Sequence, residues 1–323
     1  MQYRELGNTG LKISSLGFGA SSLGSVFHDT KEKESIKAVE TAIEGGINFI
    51  DVSPYYGAFK AETVLGKALK SIPRHKFYLS TKVGRYCKDG INSWDYSAER
   101  AVSSVYESME RLNVDYMNII NVHDIEFQAS LPGGLQKVCE ETLPALAELK
   151  QKGVVGHVGI TDLQLKNIKW VVEHSDDGMV ECILNFCHYC LNDDELLDYL
   201  DFFEERGIGI INASPLSMGL LYQRGVPEWH PAPKSLVDVC GKAAQFCMEK
   251  DYHIEKLAIQ YSVANPRIAS TLFSSANPQN VARNIEWANQ EVDEQLVADV
   301  RNISILPLAQ VICKAVMLYR VDY

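Results

Sequence analysis

Four side chains near the start of the chain have the types and order needed to move a proton: Asp51, Tyr56, Lys82 and His123. Each ends or closely follows a short apolar run. Ile47-Asn48-Phe49-Ile50-Asp51 ends on an acid, with Tyr56 shortly after it in Pro54-Tyr55-Tyr56-Gly57. Tyr78-Leu79-Ser80-Thr81-Lys82 ends on an amine, and Asn118-Ile119-Ile120-Asn121-Val122-His123 on an imidazole. Singly, each has a plain structural explanation: a helix cap, a solvated cation, a histidine satisfied by backbone. Together their chemistry is coherent. An ionised Asp keeps a Lys charged, and a charged Lys beside a phenol favours the phenolate. At an effective dielectric of ~20, a unit charge at ~4 Å is worth ~4 kcal/mol, about three pKa units, which would bring a tyrosine from ~10 toward neutrality. The expectation is an acid–base tyrosine tuned by a lysine.

These residues need elements that point them at one another. Short apolar or β-branched runs recur at Ser15–Ala20, Ile47–Val52, Phe77–Val83, Tyr116–Val122, Val154–Ile160, Glu181–Phe186, Ile208–Ala213 and Ser270–Phe273, separated by segments of helical period. Val102, Val105, Met109 and Leu112 after a candidate N-cap at Ser97 form one such segment, and Leu196, Leu197, Leu200 and Phe203 another. Continuous apolar strands alternating with helices imply a parallel sheet covered by helices, and eight units fit a closed (β/α)8 TIM barrel in which reactive side chains gather at the C-terminal strand ends. A doubly wound sheet would carry a glycine fingerprint after its first strand, and Gly17-Phe18-Gly19-Ala20 lacks the third glycine. No linker divides the chain, so the expectation is a single α/β domain over 1–323. An N-terminal β-hairpin around Gly7-Asn8-Thr9-Gly10 would plug one barrel end, and Leu308, Val311, Ile312, Ala315 and Tyr319 predict a C-terminal helical tail.

With 46% hydrophobic and 23% charged residues, the 323-residue chain has ordinary globular composition. Its net charge of −11 disfavours nucleic acid, which needs a basic face. Neither a secretory core at the N-terminus nor a membrane-length apolar run is evident, so the expected address is cytoplasmic, without membrane contact, and the eight cysteines are expected as thiols. Cys187-His188-Tyr189-Cys190 has no second cysteine pair, so no metal site is expected. A monomer is expected.

The strings Asn8-Thr9-Gly10-Leu11, Gly17-Phe18-Gly19, Asp51-Val52-Ser53-Pro54-Tyr55-Tyr56-Gly57 and Ser80-Thr81-Lys82 resemble those of aldo-keto reductases, a likeness that runs over about residues 3 to 290. Gly24-Ser25-Val26-Phe27, His123-Asp124-Ile125-Glu126-Phe127, Cys187-His188-Tyr189 and Pro227-Glu228-Trp229-His230-Pro231-Ala232 are similar to the plant-type L-galactose dehydrogenase group of that superfamily. The resemblance implies hydride exchange between NAD(P) and a sugar-type hydroxyl or carbonyl, with Tyr56 as proton donor or acceptor, Lys82 and Asp51 tuning it, and His123 orienting the substrate oxygen. Its alternatives are reduction of other aldehydes or ketones, or a cofactor-sensing subunit without activity.

Cofactor contacts are expected by the same resemblance at Thr161 and Asp162, where the superfamily commonly has Ser-Asn, and at Asn185, where it has Gln. Ala213 stands where an aromatic often stacks on nicotinamide. Ser214, Pro215, Leu216 and Gly219 keep the pattern of the loop around the pyrophosphate, and Asn284 that of the adenine contact. Ser274 and Asn280 replace the Lys and Arg that grip the 2′-phosphate in NADP-preferring members, which implies NAD over NADP, with Arg283 as a possible substitute cation. Trp229 and His230 are the expected substrate contacts, with the segment from Leu306 as a lid.

Overall fold

In the computed structural model, which describes residues 1–88 and 91–303, the eight apolar runs are eight parallel strands that close into a barrel in chain order: β1 Leu16–Gly19, β2 Phe49–Asp51, β3 Tyr78–Val83, β4 Met117–Val122, β5 Val155–Asp162, β6 Cys182–Phe186, β7 Gly209–Ala213 and β8 Ser270–Phe273. Every residue of β4 and β6 is buried. One strand face fills the barrel and the other meets helices, so the strands read as unbroken apolar runs rather than alternating ones.

A principal helix follows each strand: α1 Glu32–Glu44, α2 Lys60–Leu69, α3 Ala98–Leu112, α4 Leu143–Gln151, α5 Leu165–His174, α6 Leu200–Glu204, α7 Ile254–Ala264 and α8 Pro278–Ala288. In α3 the Ser97 side chain accepts the Arg100 N–H at the N-terminus, Ala101, Val105 and Leu112 face inward, and Asn113 stops the helix in left-handed geometry at φ 57°. Further helices at Lys234–Glu249 and Glu294–Arg301 lie outside the repeat.

The expected N-terminal hairpin pairs Tyr3–Glu5 with Lys12–Ser14. Its Leu6 and Ile13 join a buried cluster with Phe49, Ile119, Leu184, Ile211 and Leu272 from five barrel strands, so it closes the barrel interior at one end. A second antiparallel hairpin, Arg85–Lys88 with Ile91–Trp94, was not foreseen. It joins β3 to α3. The expected C-terminal helix, with Leu308, Val311, Ile312, Ala315 and Tyr319, and the expected lid from Leu306 lie outside the described residues. Among those described, no helix is long and apolar enough to cross a membrane, and the seven cysteines are free thiols.

Candidate active site

Strand register assembles the site. Asp51 on β2 stands opposite Ser80 on β3, and Lys82 on β3 opposite Asn121 on β4. Side chains two apart on a strand share a face, so Ser80 and Lys82 point together, as do Asn121 and His123. Asp51, Ser80, Lys82, Asn121 and His123 are all buried. Lys82 Nζ donates to Asp51 Oδ1 and to the Val52 carbonyl, the latter at 2.8 Å. Ser80 Oγ donates to Asp51 Oδ2 at 2.8 Å and accepts from Asn121 Nδ2 at 2.9 Å. Tyr56 arrives from the β2 loop, its ring centroid 4.9 Å from Lys82 Nζ and 5.8 Å from the His123 ring. That loop lies hard against the β1 loop: a Cβ on Gly57 would sit 2.0 Å from the Gly24 carbonyl oxygen, and Gly57 has φ +61°, so only glycine allows the approach.

Burial and charge oppose each other here. Burial raises Asp51 above the usual carboxylate value and Lys82 pulls it back. Burial would lower Lys82, but Asp51 and Tyr56 outweigh it and hold the ammonium above its ordinary value. For Tyr56, burial raises the phenol above its ordinary value despite the attraction of Lys82. The expectation of a tyrosine titrating near neutrality is therefore corrected: desolvation dominates, and the Lys82 charge is already shared with Asp51, which itself opposes phenolate formation.

His123 is held at both ring nitrogens, by groups the sequence did not single out. Ser53 Oγ lies 3.0 Å from Nδ1, and Asp124 Oδ2 lies 3.4 Å from Nε2. Asp124 is paired at 2.5 Å with Arg85 Nη1, and the buried Arg85 guanidinium lies 3.7 Å from the Tyr55 ring centroid and 4.6 Å from that of Phe127. The only advance signal was position: Asp124 directly follows His123, and Arg85 follows Lys82-Val83-Gly84.

The expected cofactor residues line β5 to β8. Asn185 is fully buried, and its Nδ2 donates to the Asp162 and Leu163 carbonyls at 2.8 and 3.1 Å, while its Oδ1 has no hydrogen-bond partner among the described residues. An orphaned acceptor suits a carboxamide NH2. Asp162 is buried, and burial followed by the neighbouring Glu126 carboxylate pushes its carboxyl well above the usual range, while Oδ1 accepts the Gln164 N–H at 2.7 Å and Oδ2 accepts from Asn167 Nδ2 at 3.0 Å. Thr161 Oγ1 accepts the Asp124 N–H at 2.9 Å, which turns it toward the β4 loop. Ser214, Ser217 and Met218 all have positive φ, and Gly219 has φ +109°, a run of strained backbone of the kind found at ligand loops. Pro215 and Leu216 lie within that run. Ser274 Oγ bonds Ser22 Oγ at 2.8 Å, Asn280 Oδ1 accepts from Arg283 Nη2 at 2.8 Å, and Asn284 is buried.

Trp229 stacks on Phe27 with centroids 5.7 Å apart, which links the β7 and β1 loops. His230, expected to touch substrate, instead has both ring nitrogens on backbone: Nδ1 accepts the Ala232 N–H at 3.1 Å and Nε2 lies 3.1 Å from the Ser217 carbonyl. Burial lowers its pKa, so it serves as a neutral pin between loops. In the Cys187–Cys190 stretch, Cys190 Sγ donates to the Cys187 carbonyl at 3.0 Å, and His188 Nδ1 faces Asp193 at 3.2 Å and Glu195 at 3.3 Å.

A parallel barrel with a buried Asp–Lys pair, a tyrosine and a histidine at its strand ends, beside a wall suited to a carboxamide, defines a class of nicotinamide oxidoreductase. The model of the Aldo/keto reductase family matches residues 15–305, and the chain belongs to that family as an NAD(P)-dependent oxidoreductase. It is 44% identical over 309 residues to L-galactose dehydrogenase of Arabidopsis thaliana, covering 94% of each chain. It is 32% identical to D-arabinose 1-dehydrogenase of Saccharomyces cerevisiae, over 78% of this chain and 76% of that one. Among solved structures, the holo form of an aldo-keto reductase from Bacillus halodurans superposes with a TM-score of 0.78 at 26% identity, over 94% of this chain and 96% of that one.

Proposed function

We propose that the protein oxidises aldoses at C1 with NAD, taking L-galactose or a closely related sugar. The observation that carries the chemistry is the contact of Lys82 with both Asp51 and Tyr56, beside His123. The sugar is supported by the similarity to two aldose dehydrogenases. Nicotinamide, when bound, takes or returns the hydride of the carbon undergoing reaction. The protein's own part is positioning and proton transfer. His123 donates a hydrogen bond to the C1 oxygen and fixes its orientation. In oxidation the C1 hydroxyl proton passes to Tyr56 Oη as the C1–O bond becomes a carbonyl, and in reduction the same proton returns. Lys82 stabilises the phenolate required for oxidation, and Asp51 keeps Lys82 in place and charged. Asn185 Oδ1 and Asp162 would hold the carboxamide, and the Ser214–Gly219 loop, pinned by His230, would hold the pyrophosphate.

Preference for NAD follows from the groups around α8. Ser274 is tied to Ser22, Asn280 is neutral, and the nearest substitute cation, Arg283, bonds Asn280 and stacks over Trp287 at 5.0 Å. Each missing charge-assisted bond to a 2′-phosphate is worth about 1.5–3 kcal/mol, so kcat/KM with NADP should be at most about one-tenth of that with NAD. Absorbance at 340 nm, followed with both cofactors over L-galactose, D-arabinose, L-fucose and simple aldehydes, tests both parts. The expected result is NAD reduction with the sugars, highest kcat/KM on L-galactose. Turnover of aldehydes alone would replace this reading with that of a general carbonyl reductase, and a tenfold NADP preference would refute the cofactor assignment.

A further inference from the structure

The surroundings of His123 assign its proton. Ser53 Oγ, 3.0 Å from Nδ1, already accepts the Tyr55 N–H at 3.1 Å. The hydroxyl keeps one proton and a second lone pair, so it can serve either tautomer, and where it donates to Nδ1 the imidazole proton stays on Nε2. The other nitrogen decides. Nε2 faces the Asp124 carboxylate at 3.4 Å, and an ionised carboxylate only accepts. In the opposite tautomer a bare Nε2 lone pair would face the Asp124 oxygen. At 3.4 Å the Nε2–H···Oδ2 contact is long for a hydrogen bond, so a substrate oxygen can displace it at small cost.

Arg85 completes the arrangement. A lone carboxylate beside an imidazole favours the doubly protonated ring, but Asp124 is paired at 2.5 Å with the buried Arg85, itself enclosed by Tyr55 and Phe127. The backbone is built to keep Asp124 there. Asp124 has φ +48°, in the left-handed region that Asp and Asn tolerate better than other non-glycine residues. The Thr161 hydroxyl accepts its N–H, and Tyr96 Oη lies 2.7 and 2.8 Å from the His123 and Asp124 carbonyls, sharing its one proton between them.

We propose that Ser53 and the Arg85–Asp124 ion pair are positioning residues that hold His123 as the neutral Nε2–H tautomer, the form that donates to the substrate oxygen. The proposal rests on the reading of His123 as that donor. The charged and titratable groups around the ring are Tyr55 and Tyr56 from the β2 loop, with Asp51 and Lys82 behind Tyr56, and Asp124 paired to Arg85, with Glu126 and Asp162 beyond them about Tyr96.

The test reads the ring directly. In the NAD-loaded holoenzyme with isotope-labelled histidine, the nitrogen shifts of His123 near neutral pH should show Nδ1 bare and Nε2 protonated. An Nδ1–H or doubly protonated ring in the wild type overturns the proposal whichever carbonyl the enzyme accepts. Because no turnover enters this measurement, a wrong substrate assignment leaves it intact. Ser53→Ala should give a mixture of tautomers and lower kcat about tenfold, with KM for the sugar within about twofold. An unchanged tautomer and kcat in Ser53→Ala overturns the role of Ser53. In Arg85→Met the exposed Asp124 charge should raise the midpoint of the His123 titration by about one unit or more. Arg85→Met/Asp124→Asn, which keeps a residue tolerant of positive φ and removes both charges, should return the midpoint to about the wild-type value. The double variant also serves if Arg85→Met alone does not fold. A midpoint that stays put in Arg85→Met, or one that stays raised in the double variant, overturns the role of the ion pair.

Discussion

Tyr56→Phe should lower kcat about a thousandfold in both directions while the fold and the KM for NAD stay close to wild type. General acid–base groups contribute about 10²- to 10⁴-fold, and among the described residues Tyr56 is the one phenol in contact with both Lys82 and His123. Removing its hydroxyl leaves Lys82 its bonds to Asp51 and Val52. The structural cost is thus one hydrogen bond at the edge of the site, about 1 kcal/mol, which thermal unfolding would register as a shift of a few degrees at most. Loss in both directions is required because the equilibrium belongs to substrate and cofactor alone, so a group that shuttles the proton must slow the forward and reverse steps of the same reaction by the same factor. Steady-state rates at 340 nm for sugar oxidation and for reduction of the matching aldonolactone check this. A kcat within threefold of wild type in either direction would remove Tyr56 from the mechanism and leave His123 to carry the proton.

What could be read in advance followed from burial on two faces. Strands buried on both faces are rich in apolar residues, so all eight stood out, and the acid, the amine and the imidazole were conspicuous at the ends of their runs. Asp51, Lys82 and His123 were legible for that reason, and Tyr56 through its spacing from Asp51. The hairpin Arg85–Trp94 was not. Tyr86, Cys87, Asn92 and Ser93 make no apolar run, and its Arg85 becomes a site residue only through packing between Tyr55 and Phe127. His230 misled in the other direction: a histidine beside a tryptophan in a loop reads as a ligand contact, but both nitrogens are taken by backbone that folding brings near. The proton affinity of Tyr56 was misjudged because a pairwise charge argument omits the desolvation of the phenolate. That quantity depends on how much protein surrounds Oη, which no spacing along the chain encodes.

The tension between burial and charge at Tyr56 makes Lys82→Met the most informative substitution. With the phenol above its ordinary value, Tyr56 is protonated through the neutral range. Oxidation needs it as acceptor, so its kcat should climb with pH toward the phenol pKa, while reduction should hold level and fall only as pH passes that value. Removing the Lys82 charge takes away the largest interaction favouring phenolate. At an effective dielectric of ~20 that interaction is a few kcal/mol, and because Asp51 offsets part of it, the alkaline rise of oxidation should move up by about one to two pH units. Stability changes with the opposite demand. Asp51 stays buried without its counter-ion, a loss of about 3–5 kcal/mol, and its carboxyl is then driven further above the unfolded value. A carboxyl raised on folding binds its proton in the native state after the unfolded chain has released it, so stability falls as pH rises above the unfolded carboxylate pKa and levels off beyond the folded one. Lys82→Met should accordingly be more stable near pH 5 than near pH 8. Lys82→Met/Asp51→Asn separates the two roles: it should recover most of the stability, lose that pH dependence, and remain as inactive as the single variant. Recovery of rate together with stability would make the Lys82–Asp51 pair a structural support, and an oxidation limb that does not move would show that Tyr56 takes its proton without help from Lys82.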